Sequence, residues 1–320
     1  MPTSGCFTKP CVVVTAADLA PAALDVLRDY QVVYAGARFS TAELAALMAR
    51  HDPVALIVRY GQINAQVIHA GKRLRVIAKH GSGIDTIDSV TAAMRGIAVK
   101  AAVGVNAAAV AEHAVALMLA CAKSVVHLNA RMHAGHWDKP THKSMELHGK
   151  TLGLIGLGAI GRRVAAIAHA MGMRILGCDP YAQDVPEAMT LVALQDIWRE
   201  ADVISLHAPL NDATRGMINA DTLARCRDGV ILVNTARGGL IDEAALLAAV
   251  RTGRIASAGL DSFAQEPPPA DHPFFGVPNI ILSPHVGGVT RDAYVNMGVA
   301  AARNVIAALA TTTHDEKAAA

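Results

Sequence analysis

Residues 151–179, TLGLIGLGAIGRRVAAIAHAMGMRILGCD, decide how the rest of the chain is read. Residues 151–155 are a short apolar run of strand length. Gly156, Gly158 and Gly161 follow in the spacing G-x-G-x-x-G. Val164, Ile167, Ala168 and Met171 then recur at i, i+3, i+4 and i+7, one face of a helix. Residues 174–178 make a second strand, and Asp179 closes it 18 residues after Gly161. Each part has a physical task. The first glycine permits a tight turn, the second lets backbone approach a pyrophosphate, and the third lets helix sit close on strand. The helix N-terminus offers unpaired N–H groups and the positive end of its dipole to phosphates. Asp179 is placed to accept hydrogen bonds from the ribose hydroxyls of an adenosine. Glycines alone are weak evidence. The order strand, glycines, amphipathic helix, strand and acid is what points to a dinucleotide.

The totals bound the remainder. At 320 residues the chain has room for about two domains. Hydrophobic residues make up 52% and aromatics only 4%, so the core is built from Ala, Val, Leu and Ile. No uninterrupted apolar run approaches the roughly 20 residues of a spanning helix. Lys and Arg number 29 against 27 Asp and Glu, a near balance that gives no field of the kind a nucleic-acid groove needs. The start, MPTSGCFTKP, has no charged segment followed by an apolar one, so no signal peptide is expected. Cys6, Cys11, Cys121, Cys178 and Cys226 are odd in number and lack CxxC spacing. Free or buried thiols in a reducing cytoplasm are expected. There is no HExxH and no Cys/His cluster with zinc spacing, so no metal is expected.

Before residue 103 the chain alternates strands (12–15, 31–34, 55–59, 75–79, 97–100) with helices (21–29, 41–50, 64–70, 85–95). This βαβ pattern predicts a parallel sheet covered on both faces. Its first strand has no glycine fingerprint, so a second ligand-binding domain is expected rather than a second cofactor domain. Residues 106–134 read as one long apolar helix, interrupted by Glu112 and His113, which are expected at a buried interface. Residues 135–150 read as a polar connecting loop. Further strands are expected at 202–206, 230–234, 256–260 and 279–282, a helix at 242–251, and a last Ala-rich helix at 291–310 with a frayed tail.

Three of these strands are followed by reactive side chains: Arg237, Glu266 and His285. In an open parallel sheet ligands bind beyond the carboxyl ends of the strands, so residues distant in sequence can converge there. Any one of them taken alone could be an ordinary loop residue. Together they suit hydride transfer to a carbonyl. Histidine can deliver the proton, a carboxylate beside it fixes the tautomer and raises its pKa, and arginine grips a carboxylate or carbonyl oxygen.

Here the chain resembles the D-isomer-specific 2-hydroxyacid dehydrogenases, in their phosphoglycerate dehydrogenase-like branch. The resemblance rests on HGSGIDTID (80–88), NAAAVAEH (106–113), GLGAIGRRVA (156–165), NTARGGLIDEAAL (234–246), LDSFAQEP (260–267) and SPHVGG (283–288). It implies an α/β fold with two doubly wound parallel-sheet domains. A flavodoxin-like substrate domain would span 1–104 and 290–320, with a Rossmann NAD-binding domain at 105–289 inserted in it. It implies NAD as cofactor, and His285, Glu266 and Arg237 as acid/base, partner and substrate clamp. Backbone at Ser82 and Gly83 would meet the substrate carboxylate across an interdomain cleft. Asp261 would hold the nicotinamide carboxamide. Ala159, Ile160, Ala208, Thr235, Ala236 and Gly288 fall at further cofactor positions, with Ser82 beside them. A homodimer is implied as well.

The sequence departs from the family in places. Ala159 and Ser262 stand where Arg and Val are common, and Arg162 is the nearest replacement for the lost arginine. The cleft arginines that take a substrate phosphate correspond to Arg59, Lys79 and Lys139. Positive charge persists at all three, which would suit a second anionic group on the substrate. Two other readings share the fold. A formate dehydrogenase-like enzyme would carry Gln where Glu266 stands. An NADH-responsive binding protein of the corepressor type would keep the Arg–Glu–His set.

Overall fold

The structure, a computed structural model, describes residues 9–318, with side-chain surroundings as far as Thr311. The expectations for the first eight residues, Cys6 included, lie outside the described residues. The chain alternates β1 (Cys11–Val14), α1 (Pro21–Val26), β2 (Gln31–Tyr34), α2 (Thr41–His51), β3 (Ala55–Val58), α3 (Ala65–Ala70), β4 (Val76–Lys79), α4 (Ser89–Met94) and β5 (Ala98–Ala101). Two helices follow, α5 (Ala107–Lys123) and α6 (Val125–His133). Then come β6 (Thr151–Ile155), α7 (Ala159–Ala170), β7 (Arg174–Cys178), β8 (Met189–Leu191), α8 (Leu194–Glu200), β9 (Val203–Leu206) and α9 (Ala220–Arg225). The chain closes with β10 (Val230–Asn234), α10 (Glu243–Arg251), β11 (Ile255–Leu260), β12 (Ile280–Leu282) and α11 (Arg291–Ala318). It divides into two compact units: one runs to Asn106 and resumes at Val289, the other is Ala107–Gly288.

The first unit holds five parallel strands in the order β2-β1-β3-β4-β5, the flavodoxin-like arrangement. Its central strands, VVV in β1 and ALIV in β3, are buried on both faces, as parallel sheets under helices require. Helix starts are set by short polar side chains. Ser40 and Glu43 form a capping box on α2, and Asn64 and Asp88 cap α3 and α4. The second unit has seven parallel strands in the order β12-β11-β10-β9-β6-β7-β8. Strand order reverses between β6 and β9, which makes the turn after β6 the switch point where ligands bind in such sheets.

Several local expectations are corrected. The helix expected over 106–134 is two, bent by 61° at Ser124, which takes the left-handed φ of +53°. Burial distinguishes the two parts. α5 buries Ala111, Ala114, Val115, Leu117, Met118 and Cys121, whereas α6 buries nothing, so one straight rod would carry α6 no further into a core. Glu112 is exposed and His113 half-buried in the single chain. α4 begins at Ser89 rather than 85, because Asp88 accepts from the Thr91 amide and Ile87 pairs with Ile63. α11 continues as helix to Ala318 instead of ending near 310. By length and composition Arg291–Thr311 could cross a bilayer. Here Ala301, Ala302, Val305 and Leu309 instead bury against Val12, Val14 and Ile57 as a core helix. β8, α8 and α9 have too few residues to leave a periodic signal.

Candidate active site

The fingerprint loop is built by exclusion of side chains. Gly156 has φ +96°, and a Cβ there would lie 2.6 Å from the His207 carbonyl carbon. A Cβ at Gly161 would lie 2.2 Å from the Gly156 oxygen. Gly158 is different. Nothing stands within 4 Å of where its Cβ would be, and as N-cap of α7 it leaves that helix end without a side-chain cap. Open space over uncapped N–H groups is what a pyrophosphate needs. Asp179 serves the loop too: Oδ2 accepts from the Leu157 amide at 2.8 Å and Oδ1 from Tyr181 at 2.9 Å. Ala159 is exposed beside the loop and Ile160 half-buried. Arg162 does not replace the missing arginine, since its guanidinium is bonded to the carbonyls of Leu157 and Asp184. Ala208 is buried after β9, and the buried Thr235 hydroxyl after β10 lacks a partner. A buried hydroxyl left so at a strand end fits a polar ligand there. The residues present therefore fit a dinucleotide.

Arg237, Glu266 and His285 follow β10, β11 and β12, beyond the same edge of the sheet as the glycine loop. Asn234 pins the first turn, accepting from the Ala236 amide at 3.0 Å and donating to the Arg237 carbonyl at 2.9 Å. Gly238 lets this turn touch the next one: a Cβ would lie 1.8 Å from the Phe263 carbonyl carbon. Glu266 Oε1 accepts from the Phe263 amide at 3.0 Å, and Glu243 of α10 accepts from Ala264 at 2.9 Å. Glu266 Oε2 lies 2.7 Å from His285 Nδ1. His285 itself sits at the left-handed φ of +53°.

The electrostatics follow from these contacts. Burial works to raise the Glu266 pKa, but the bonds from His285 and Phe263, aided by the Arg237 charge, hold it below the ordinary carboxylate value. The bond to Glu266 raises His285 above the ordinary histidine value; burial opposes this, the Glu266 charge adds to it and Arg237 subtracts. An ionised Glu266 places the ring proton on Nδ1, which leaves Nε2 to exchange a proton with a ligand. The two side chains keep 44% and 36% of their surface, so the pair is accessible. His207 and His80 cannot take this part near neutral pH. Burial pushes both down to about 4, with Arg59 adding to the effect at His80.

Asp261, 1% exposed, is nearly saturated. It accepts from Ser283 Oγ at 2.6 Å and from the amides of Val286 and Gly287 at 2.9 and 2.8 Å, just before Gly288. His113 Nε2 lies 2.9 Å from Ser283 Oγ. This network was not legible in the sequence. Its one signal was a buried-strand ending in Asp, LDS, far from SPH.

In the first unit, Arg59 and Lys79 end neighbouring strands. Arg59 is ion-paired with Asp18 at 2.6 Å and lies over the rings of Tyr60 and Tyr294, 5.0 and 4.6 Å from their centroids. Lys79 Nζ is 3.4 Å from Thr86 Oγ1. Ser82 is exposed and donates to Asn106 Oδ1 at 2.9 Å, with Gly83 half-buried after it. Lys139 is exposed in a loop of the other unit.

A glycine loop at the switch point of a parallel sheet, with a histidine–carboxylate pair and an arginine beyond the same edge, defines a nicotinamide nucleotide-dependent dehydrogenase. Comparison with known proteins narrows the class. The family model of the D-isomer specific 2-hydroxyacid dehydrogenase NAD binding domain matches residues 115–287. A hydroxypyruvate reductase of Thermotoga maritima is 43% identical over 247 residues, 76% of this chain and 81% of that protein. A D-3-phosphoglycerate dehydrogenase of Archaeoglobus fulgidus is 39% identical over 256 residues, 79% of this chain; the match spans 49% of that protein, about half its length. Among solved structures, the TT0316 protein of Thermus thermophilus superposes with a TM-score of 0.87 at 37% identity, covering 94% of this chain and 97% of that one. A glyoxylate reductase of Paecilomyes thermophila gives 0.84 at 30% identity, covering 94% and 95%. The chain belongs to the D-isomer specific 2-hydroxyacid dehydrogenase family. It is an NAD-dependent oxidoreductase that interconverts 2-keto and 2-hydroxy acids.

Proposed function

We propose that the enzyme reduces a small polar 2-keto acid, hydroxypyruvate or a close relative, to the D-2-hydroxy acid, with His285 as proton donor. The observation that carries this is the 2.7 Å contact between His285 and Glu266, which raises the pKa of the imidazole and leaves its Nε2 available. NADH, when bound, supplies the hydride. His285 delivers the proton to the keto oxygen, Glu266 holds the ring, and Arg237 orients the substrate through its carboxylate or keto oxygen. Gly156, Gly158, Ala159, Ile160 and Gly161 receive the pyrophosphate, Asp179 the ribose, and Ala208, Thr235, Ala236, Asp261, Gly288 and Ser82 the rest of the dinucleotide. Ser82 and Gly83 amides are assigned to the substrate carboxylate, and Arg59 and Lys79 to its polar end.

The partners of Arg59 refine the substrate. Asp18 already balances its charge, which favours a neutral hydroxyl over a phosphate at that end. NADH oxidation with hydroxypyruvate, 3-phosphohydroxypyruvate and phenylpyruvate tests this, with kcat/KM expected highest for hydroxypyruvate. A win for phenylpyruvate would refute it, and NADH binding with no turnover on any keto acid would favour the corepressor-type reading. Glu266, where a formate dehydrogenase-like enzyme carries Gln, speaks against that third reading.

A homodimer in the cytoplasm completes the proposal. Its support is α6, which buries no residue of its own chain and exposes Val125, Val126 and Met132. Light scattering of the purified protein tests it. The buried packing of α11 and the balanced net charge support neither a membrane nor a nucleic acid as partner.

A further inference from the structure

His113, on the second turn of α5, is a half-buried histidine that the proposed chemistry does not use. Its surroundings are ordered by a single buried carboxylate. Asp261 Oδ1 accepts from Ser283 Oγ at 2.6 Å and from the Val286 amide at 2.9 Å, while Oδ2 accepts from the Gly287 amide at 2.8 Å. These three donors bracket His285 on both sides. The loop between them is tight, with the His285 amide donating to the Ser283 carbonyl at 3.0 Å. The position of the imidazole therefore depends on where Asp261 and Ser283 are held.

His113 holds them. Ser283 has one hydroxyl proton, and the carboxylate can only accept, so that proton goes to Asp261. The Ser283 oxygen is then left to accept, and His113 Nε2 at 2.9 Å must be the donor. The same Nε2 lies 3.3 Å from Asp261 Oδ1. The fit is close on the far side as well. A Cβ at Gly287 would lie 2.9 Å from Asp261 Oδ2 and 3.4 Å from His113 Cδ2, so only glycine leaves this network its room.

We propose that His113 is a positioning residue for His285, acting through Ser283 and Asp261. The inference rests on the reading of His285 as the proton donor. Glu266 fixes the imidazole from one side at Nδ1, and the His113–Ser283–Asp261 chain fixes the backbone that carries it. The charged groups that face His285 are Glu266, Arg237 and Asp261. If the loop drifts, His285 moves away from Glu266 and loses the partner that raises its pKa.

The test is a set of substitutions in the full-length protein with two readouts. One is the titration of the His285 ring by NMR, which needs no turnover. The other is the split between kcat and KM. His113→Ala is expected to move the His285 titration down toward the ordinary histidine value. It should lower kcat about 10- to 100-fold with little change in KM, the cost of misplacing a reacting group by a fraction of an ångström. His113→Gln, whose amide nitrogen can reach the Nε2 place, should restore both. Ser283→Ala should reproduce His113→Ala, and the pair together should do no more than either alone. The proposal falls if the titration and kcat of both single variants match wild type. It also falls if Gln rescues no better than Ala, or if the two losses multiply. A wild-type protein inactive on every keto acid would instead count against the proposed function, while the NMR arm would still decide the role of His113.

Discussion

The first strand-to-helix turns of the two units occupy comparable places in parallel sheets, yet they are built oppositely. After β1, the Thr15 hydroxyl accepts from the amides of Arg59 and Tyr60 at 2.9 and 3.1 Å and donates to the Tyr60 carbonyl at 2.8 Å. The helix that follows is six residues long and opens with Pro21, which has no N–H to offer. After β6, glycines at 156 and 158 keep the turn clear of side chains at those positions, and the twelve-residue α7 starts uncapped over open space. One turn spends its hydrogen bonds inside the protein; the other leaves them for a ligand. Parallel topology alone does not make a dinucleotide site. A vacant donor set does.

The sharpest break of this comparison is at the strand-end histidines. His285→Ala is expected to lower kcat by about 10² to 10⁴, the usual loss of a general acid, with NADH binding retained. His80→Ala, at the end of β4 in the other unit, should stay within a few-fold of wild type. A steady-state comparison of the two variants decides it, and near-native turnover in His285→Ala would move the role elsewhere.

Next in size is the glycine loop. A Cβ at Gly158 would have nothing within 4 Å, so Gly158→Ala should melt near the wild-type temperature. It should nonetheless weaken NADH by about 10- to 200-fold, the range for forcing an extra apolar group into a binding site. Gly161→Ala should instead lose stability, because its methyl would strike the Gly156 carbonyl. Calorimetry alongside NADH fluorescence separates the two.

The pH dependence is smaller in amplitude and has a definite sign. In the proposed mechanism His285 is protonated for keto-acid reduction, so that rate should fall as pH rises through its raised pKa. The reverse reaction needs the neutral ring and gains rate over the same window. Glu266→Gln removes the charge that raises this pKa, so both limbs should shift to lower pH. Unmoved limbs would assign them to another group.

Asp179→Ala should narrow the preference for NADH over NADPH about tenfold, since the carboxylate proposed to take the ribose would repel a 2′-phosphate. It also frees the Leu157 amide, so KM for both cofactors should rise. The smallest effect belongs to the closed turn: Thr15→Val takes the hydroxyl partner from the half-buried Arg59 amide, while the Tyr60 amide keeps the Thr15 carbonyl at 3.3 Å, and should cost about 1 kcal/mol of stability in a denaturant melt.

The sequence by itself determined what depends on local pattern. Buried parallel strands such as VVV and ALIV, the glycine spacing and the helical stretches 41–50, 64–70 and 242–251 are written in neighbouring residues. Strand and helix boundaries along most of the chain could be read within a residue or two for that reason. The strand-end positions of Arg237, Glu266 and His285 followed from the same alternation. What only the tertiary structure decided are interactions between segments distant in the chain. Asp179 bonding Leu157, Arg162 turning to Asp184, Asp18 neutralising Arg59 and His113 reaching Ser283 leave no periodicity and no motif. The bend at Ser124 belongs with them, because helix propensity runs unbroken through it and only burial distinguishes α5 from α6. Side chains are committed by what lies beside them in space, and a charge or hydroxyl read from sequence is available for chemistry only where the fold leaves it so.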